Sequence, residues 1–223
     1  MTSVILTLVV MVQQPAGAKP PAIQDNSFFI EEAFNQESGV VQHINTLLHA
    51  GRSWAYSFTQ EWPLGGQRHQ ISYTIPVEQG IRDVALNYRQ QLAGIGGGTA
   101  FAPRLSVLIP TRSGGQTAVQ LNLPVSVQLA RLVVAHLNAG ATATRRNATL
   151  YNAGTSLIWL ARPTINAMLE VVWSGDASSG DWVINPGLRW AHNVGSLQIV
   201  PGISFPDARD VFFYLSLEHP FTS

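Results

Sequence analysis

The amino-acid sequence predicts an all-β protein, a transmembrane antiparallel up-and-down β-barrel of about twelve strands. Three observations support this prediction. Segments of alternating apolar and polar residues recur along the chain, large aromatic residues share the apolar face, and short connections alternate with longer ones. The composition agrees, because only 12% of the 223 residues are charged, about half of the roughly 25% that is usual. A chain of this length is expected to form one domain.

The predicted strands begin at residue 40 and continue to the C-terminus. Side chains alternate between the two faces of a strand, and a tilted strand needs about 9–11 residues to cross a bilayer. The clearest segment is 117–128, where Val119, Leu121 and Leu123 alternate with Gln120 and Asn122. The twelve segments are 40–48, 53–62, 67–76, 82–91, 103–110, 117–128, 131–142, 149–161, 164–174, 182–191, 196–205 and 211–221.

Large aromatic residues distinguish a membrane barrel from a soluble β-sandwich, which also alternates along its strands. Most of them fall on the apolar face and several lie near strand ends, as in the aromatic girdles at the two membrane interfaces. Ordinary core aromatics are the alternative explanation. The residues are Trp54, Tyr56, Trp62, Tyr73, Tyr88, Tyr151, Trp159, Trp173, Trp182 and Trp190.

The connections between the predicted strands differ in length at the two ends of the barrel. If the first strand begins in the periplasm, the periplasmic turns are mostly short, and the outward loops are longer and richer in Gly, Ser, Asp and Arg. This asymmetry is typical of outer-membrane barrels. The exception is 92–102, which is too long for a tight turn unless strands extend into it. Pro124, Pro186 and Pro201 each remove a ladder donor and are expected to mark bulges or strand ends.

The N-terminal residues predict a secretory signal peptide, residues 1–18. Val4 to Val12 is an apolar stretch, and Ala16-Gly17-Ala18 fits a cleavage site after Ala18. No Lys or Arg precedes the apolar stretch, so an upstream start of the signal peptide is one expectation, and a disordered or strand-forming N-terminus is the alternative. Residues 19–39 are predicted to be a lead-in or a plug, and residues 40–221 the barrel.

The sequence contains no recognisable enzyme or metal signature. It has neither a GxSxG nucleophile elbow nor an HExxH pair, and zero cysteines exclude disulfides and thiolate zinc sites. His219 shares the apolar parity of the last strand, where a structural role is expected. Thirteen basic and thirteen acidic residues leave no net charge, so a nucleic-acid partner is not indicated. We therefore predict no enzymatic activity, catalytic residue, metal or cofactor.

The candidate functional residues are the charged and polar side chains at inward parity, which are predicted to line the lumen. Water or opposite charges can meet a charge there, whereas Arg or Lys facing the lipid midplane costs about 2–4 kcal/mol. A salt-bridged network that fills and rigidifies the barrel is the alternative role. The candidates are Glu61, Arg68, Asp83, Asn87, Arg89, Arg104, Gln120, Asn122, His136, Asn166, Glu170, Asn185, Arg189 and Glu218.

The chain also resembles a known family over nearly its whole length after the signal peptide. It is similar to the proteobacterial outer-membrane family labelled as transporters of the phenol-degradation meta pathway. The resemblance implies an outer-membrane β-barrel with a transport role. The matching segments are FFIEEAFNQESGVVQHI (28–44), WAYSFTQEWPLGGQRHQISYTIPV (54–77), LNYRQQL (86–92), FAPRLSVLIP (101–110), LNLPVSVQL (121–129), LEVVW (169–173), INPGLRWA (184–191), LQIVPGISFP (197–206) and FYLSLEHPF (213–221).

Three functions remain open at this point. The first is a barrel of the bacterial outer membrane that passes or binds small apolar or aromatic solutes. The second is a closed or plugged barrel with a structural role, and the third is a soluble secreted β-carrier with its aliphatic side chains inside. For a membrane barrel, the expected partners are outer-membrane lipid, a small solute, and the barrel-assembly machinery, which would recognise Val211–Phe221.

Overall fold

The computed structural model describes residues 27–94 and 98–221 of the chain. The predicted signal peptide therefore lies outside the described residues. The strands are β1 (Val40–Ala50), β2 (Ser53–Leu64), β3 (His69–Val77), β4 (Val84–Gln90), β5 (Thr99–Phe101), β6 (Arg104–Ile109), β7 (Ala118–Asn122), β8 (Val125–Ala130), β9 (Val133–Thr144), β10 (Leu150–Arg162), β11 (Ile165–Gly175), β12 (Gly180–Trp190), β13 (His192–Val194), β14 (Leu197–Asp207) and β15 (Asp210–Pro220). Among these residues, no helix is long and apolar enough to cross a membrane.

The strands form one closed antiparallel sheet. Each wall strand pairs with its neighbours in the chain, and the first and last strands pair with each other from Val40–Pro220 to His49–Val211. Closure leaves no unpaired sheet edge. A β-sheet that spans the hydrocarbon region of a membrane must meet this condition, because unpaired backbone groups find no partner there. The predicted up-and-down barrel is therefore confirmed.

The fifteen strands make twelve wall strands, because three wall strands are interrupted without losing register. β7 and β8 pair with β9 in one register around Pro124, and β5 and β6 continue in the same way around Pro103. β12 and β13 pair with β14 on either side of Pro201. Proline has no N–H for the ladder, so each of these prolines lies where a ladder bond is missing. The predicted count of twelve strands is confirmed.

The two faces of the wall differ in polarity. Along β7, Val119 and Leu121 are 48% and 46% exposed, whereas Asn122, the last residue of the strand, is 4% exposed. The same alternation recurs along most of the other strands, and most of the outward positions there are apolar. Soluble monomers rarely expose apolar patches larger than a few hundred Å². The aliphatic side chains therefore face outward, opposite to what a soluble carrier requires.

Aromatic side chains are part of this outer surface. Trp182, at the start of β12, is 70% exposed, and Trp159, near the end of β10, is 57% exposed. His219 also lies on the outer face, where its Nε2 is 3.1 Å from Nε2 of His43. Exposed aromatic rings near both ends of the strands match the predicted girdles. The exposed members of the predicted set are Trp54, Tyr56, Tyr88, Tyr151, Trp159, Trp182 and Trp190.

The connections have the predicted asymmetry with one revision. The segment 92–102 is not a long turn, because β5 extends into it and Ala93 bridges to Phe101. At the same end, Gly65 and Gly66 have φ values of 59° and 87°, which favour glycine in the turn after β2.

In the loop between β11 and β12, at the other end of the barrel, the Asp176 carboxylate accepts hydrogen bonds from the Ser178 hydroxyl and from the backbone N–H groups of Ser178 and Ser179. These hydrogen bonds hold the pKa of Asp176 below its usual range.

Candidate functional site

The inside of the barrel is occupied by residues 27–36, which we call the lumen segment. These residues belong to no strand and lie against inward-facing wall side chains. Ile30, Ala33 and Asn35 in this segment are all buried. A segment without a ladder must find other partners for its backbone groups, because an unpaired buried N–H is costly.

Glu170 on β11 binds the first part of the lumen segment. Its Oε1 accepts the backbone N–H groups of Phe28, Phe29 and Ile30 at 3.0, 2.9 and 3.0 Å. Its Oε2 accepts Nδ2 of Asn185 at 2.6 Å. Glu170 is completely buried, and a buried carboxylate is tolerated when it is fully hydrogen-bonded. Three successive donors on one oxygen fix the backbone of residues 28–30 against the wall.

The rest of the lumen segment is bound in the same way by neutral side chains. The backbone N–H groups of Glu31, Ala33, Asn35 and Gln36 donate to wall side chains at 2.6–2.8 Å. The acceptors come from widely separated parts of the sequence, so the segment crosses the lumen rather than following one strand. They are Asn138, Ser126, Gln91 and Gln70, respectively.

Arg89 on β4 is the main cationic contact of the lumen segment. Its guanidinium donates to Oδ1 of Asn35 at 2.8 Å and to the carbonyl oxygens of Phe34 and Glu32 at 2.6 and 3.1 Å. It also forms an ion pair with Glu31 at 3.2 Å. Arg89 is 4% exposed, and a buried guanidinium needs partners of this kind for its five N–H groups.

Glu31 connects the lumen segment to four wall side chains. Besides Arg89, its carboxylate pairs with Nε of Arg104 at 3.2 Å and accepts Nδ2 of Asn122. Its backbone carbonyl accepts Nδ2 of Asn138 at 2.6 Å. Both oxygens of the carboxylate are therefore used, as is favourable for a charge held away from bulk water.

The ring of Phe28 fills a recess in the wall that we call the Phe28 notch, formed by Gly187, Gly202, Phe212 and Tyr214. The centroid of the Phe28 ring is 5.5 Å from those of Phe212 and Tyr214, in edge-to-face geometry. A Cβ atom added to Gly202 would lie 2.7 Å from Cε1 of Phe28, and one added to Gly187 would overlap Cε2. The missing side chains of the two glycines thus make room for the ring.

A cavity of about 520 Å³ remains in the lumen beside the lumen segment. Volumes of about 300–1,000 Å³ are usual for small-molecule sites. Residues 27–32 form one side of the cavity, and inward hydroxyl and amide side chains form most of the rest. Phe28, Phe212 and Tyr214 also line it, so the Phe28 notch opens into the cavity.

The structure brings most of the predicted lumen residues together around the lumen segment. Glu170, Asn185 and Arg89 occupy the positions described above, and Arg189 lies 4.8 Å from the ring centroid of Tyr214. Nδ1 of His136 is 2.6 Å from Oγ of Ser126. Asn166 is half-buried on β11, and Glu218 on β15 accepts Nε2 of Gln42 at 2.8 Å. The predicted residues that line the cavity are Glu61, Asn87, Arg89, Arg104, Gln120 and Asn122.

Two predicted residues do not join this group. Arg68 is exposed in the turn after β2, and Asp83 is exposed in the connection before β4. The strands are shorter at these ends than the alternation suggested, because β3 begins at His69 and β4 begins at Val84. Alternating parity has no meaning outside a strand, so the alternation does not place these two exposed side chains in the lumen.

Several residues that hold the lumen segment were missed by the sequence analysis. Gln70, Ser126 and Asn138 share inward parity with predicted residues, so the same pattern could have found them. Gln91 follows the last residue of β4. Gly187 and Gly202 gave no signal, because a glycine in a strand does not reveal what packs against it. In the described part of the chain, no group of three or more His, Asp or Glu side chains could hold a metal ion.

The fold and the lumen together define a porin-like β-barrel of the outer-membrane kind. The wall is closed by twelve antiparallel strands, the outer face is apolar, and the inner face carries charges, amides and hydroxyls. This arrangement is characteristic of transmembrane barrels.

Solved structures of this class have the same fold. A KdgM porin has a TM-score of 0.62 at 8% identity, covering 82% of this chain and 99% of that chain. The NanC porin has a TM-score of 0.58 at 8% identity, covering 82% and 100%. An outer membrane channel from Pseudomonas putida F1 has a TM-score of 0.56 at 11% identity, covering 85% and 98%. Porins and channels are not enzymes, and identities this low show the fold alone.

Comparisons of the sequence with known protein families and with curated proteins find no match.

Proposed function

We propose that this protein is a gated channel of the bacterial outer membrane that binds and passes small apolar or aromatic solutes. The observation that carries the proposal is the lumen segment, which crosses the barrel and is held by side chains from several wall strands. Each net hydrogen bond is worth about 0.5–1.5 kcal/mol. A segment held in this way can leave the lumen without breaking the wall ladder.

The charges of the wall, counted without Glu31 and Glu32 of the lumen segment, support a neutral solute. Of the predicted lumen residues that stay in the wall, Arg89, Arg104 and Arg189 are balanced by Glu61, Glu170 and Glu218. One KdgM porin structure is described as a complex with oligogalacturonate, which is an anionic sugar chain. A wall with equal numbers of the two charges has no comparable preference for an anion.

The aromatic surface inside the lumen supports the apolar or aromatic part of the proposal. Phe28, Phe29, Phe212 and Tyr214 form a group of rings at the edge of the cavity. This surface is consistent with the resemblance of the sequence to the transporters of the phenol-degradation meta pathway. We propose membership of that family on the matching segments alone.

A conductance measurement tests the proposal. The full chain and a variant lacking residues 27–36 would be refolded and inserted into planar bilayers. We expect low conductance for the full chain and a several-fold higher conductance for the deletion variant. Equal conductance of the two proteins would contradict a gating role of the lumen segment. A difference in mobility between the unheated and the heated protein on a denaturing gel would verify that both proteins are folded.

A permanently closed structural barrel is the second candidate. The burial of Ile30, Ala33 and Asn35 and the number of contacts around Arg89 favour it. Liposome swelling separates the two candidates. A gated channel admits neutral aromatic solutes through the full chain, whereas a closed barrel admits none until residues 27–36 are deleted.

A further inference from the structure

We propose that the Phe28 notch is a binding site for a monocyclic aromatic solute that carries a hydroxyl group. In the closed barrel the ring of Phe28 occupies this site as an intramolecular stand-in for the solute. The inference rests on the proposed function, because the solute reaches the notch through the same lumen.

The shape of the notch matches one six-membered ring. Gly202 and Gly187 lie at inward positions on neighbouring strands, in the short ladder where Arg189 pairs with Gly202 and Gly187 pairs with Ser204. A Cβ atom at Gly202 would lie 2.7 and 2.9 Å from Cε1 and Cζ of Phe28. The ring thus touches the backbone of both strands, and a single methyl group at either glycine would exclude it.

The walls of the notch favour an aromatic ring over an aliphatic ring of equal size. Phe212 and Tyr214 meet the Phe28 ring at interplanar angles of 64° and 65°, the edge-to-face geometry that aromatic quadrupoles prefer. The guanidinium of Arg189 lies over Tyr214 at 4.8 Å, which restricts that ring. A saturated ring would fill the volume but lose these contacts.

Two buried acceptors beside the notch suit a hydroxyl group. Oγ of Ser204 and Oδ1 of Asn185 have no hydrogen-bond partner among the described residues, and both side chains are completely buried. Cβ of Ser204 lies 2.7 Å from where a Cβ of Gly187 would stand, and Asn185 precedes Gly187 by one inward position. Phenylalanine leaves both acceptors unsatisfied, which is costly for buried polar atoms, whereas a hydroxylated ring could donate to one of them.

Phe28 and the solute cannot occupy the notch together, so binding of the solute favours displacement of Phe28. A ligand shifts such an equilibrium by its different affinity for the two states. The aromatic rings line the cavity, so a solute in the lumen reaches the notch directly. Solute binding and release of the lumen segment are therefore coupled.

Calorimetric titration of the detergent-solubilised full chain tests the inference, with phenol as the probe. Cyclohexanol has the hydroxyl group without the aromatic ring, and benzene has the ring without the hydroxyl. Removing the occupant in Phe28→Ala should tighten phenol binding by about tenfold, since the competent state becomes dominant. Cyclohexanol and benzene should each bind this variant several-fold more weakly than phenol.

A second substitution shows whether the phenol lies in the notch. Adding Gly202→Ala to Phe28→Ala should abolish the gain in affinity, whereas Leu188→Ala, on the outer face of β12, should change it by less than about twofold. Equal binding of phenol to Phe28→Ala with and without Gly202→Ala would overturn the inference. Equal binding of cyclohexanol and phenol would overturn the aromatic preference. Gel mobility of the unheated barrels would verify folding of each variant.

The conductance of Phe28→Ala separates this inference from the proposed function. Raised conductance without phenol binding would retain the gated channel and overturn the notch as a solute site. Phenol binding that Gly202→Ala abolishes, without any change in conductance on deletion of residues 27–36, would retain the notch and contradict the gate.

Discussion

Nη1 of Arg89 lies 3.2 Å from Oε1 of Glu31 and thereby joins the wall of the barrel to the segment inside it. The two residues are 58 positions apart in the chain. The ion pair is largely shielded from water, since the two side chains are only 5% and 17% exposed. Removing one partner of a buried pair leaves an uncompensated charge, which costs about 3–5 kcal/mol.

Arg89→Ala should therefore loosen the lumen segment. The substitution removes the ion pair with Glu31 and the donors to Asn35, Phe34 and Glu32. We expect faster hydrogen exchange over residues 31–36 and a higher conductance. Arg131→Ala, in the exposed turn between β8 and β9, is the control and should change neither. Unchanged exchange in Arg89→Ala would mean that the segment is held without the guanidinium.

Glu170→Ala should release the first part of the lumen segment. The variant loses the acceptor for the backbone N–H groups of Phe28, Phe29 and Ile30. Hydrogen bonds to a charged group contribute about 1.5–3 kcal/mol each, so exchange of these amides should accelerate by more than about tenfold. Hydrogen exchange with mass spectrometry measures the effect. Amides of β2, far along the wall from β11, serve as the internal control and should keep their protection.

Leu121→Arg should destabilise the barrel in lipid, and Thr59→Arg should not. Leu121 is 46% exposed on the outer face, whereas Thr59 lines the cavity on the same face of β2 as Glu61. Arg on the lipid face costs about 2–4 kcal/mol at the midplane and little in a polar lumen. Urea titration of the refolded barrel in vesicles measures the free energy of unfolding. Equal stability of the two variants would contradict hydrocarbon contact at Leu121.

Phe221→Ala should impair assembly in cells more than folding in vesicles. The predicted recognition of Val211–Phe221 by the assembly machinery depends on the terminal aromatic side chain, whereas the backbone N–H of Phe221 donates to Gly39 at 2.8 Å regardless of that side chain. We expect a several-fold lower amount of folded protein in the outer membrane and an unchanged refolding yield. Phe213→Ala, on the outer face of β15, is the matched control. Equal losses for the two variants would contradict terminal recognition.

The wall of the barrel could be predicted from the sequence because it is a local pattern. The alternation of Val119, Gln120, Leu121 and Asn122 states which side chains face out, and the same period in twelve segments determines the strand count. Ends of strands are less certain, since one residue beyond a strand has no defined face. Arg68 and Asp83 show this, because each lies one position before a strand begins.

The sequence left residues 19–39 open between a lead-in and a plug, and only tertiary structure decided which wall side chains hold residues 27–36 in the lumen. A polar inner face suits water, a solute or a peptide segment equally well, so parity could not show that Glu170 binds Phe28, 142 positions away. The Phe28 notch could likewise not be predicted from the sequence. Gly187 and Gly202 leave space for the ring of Phe28 only when β12, β14 and the lumen segment come together in the folded barrel. The two-residue alternation predicts the wall because the polarity of each residue indicates whether its side chain faces outward or inward. The lumen site depends on contacts between residues that are far apart in the sequence, and these contacts are set only when the barrel closes.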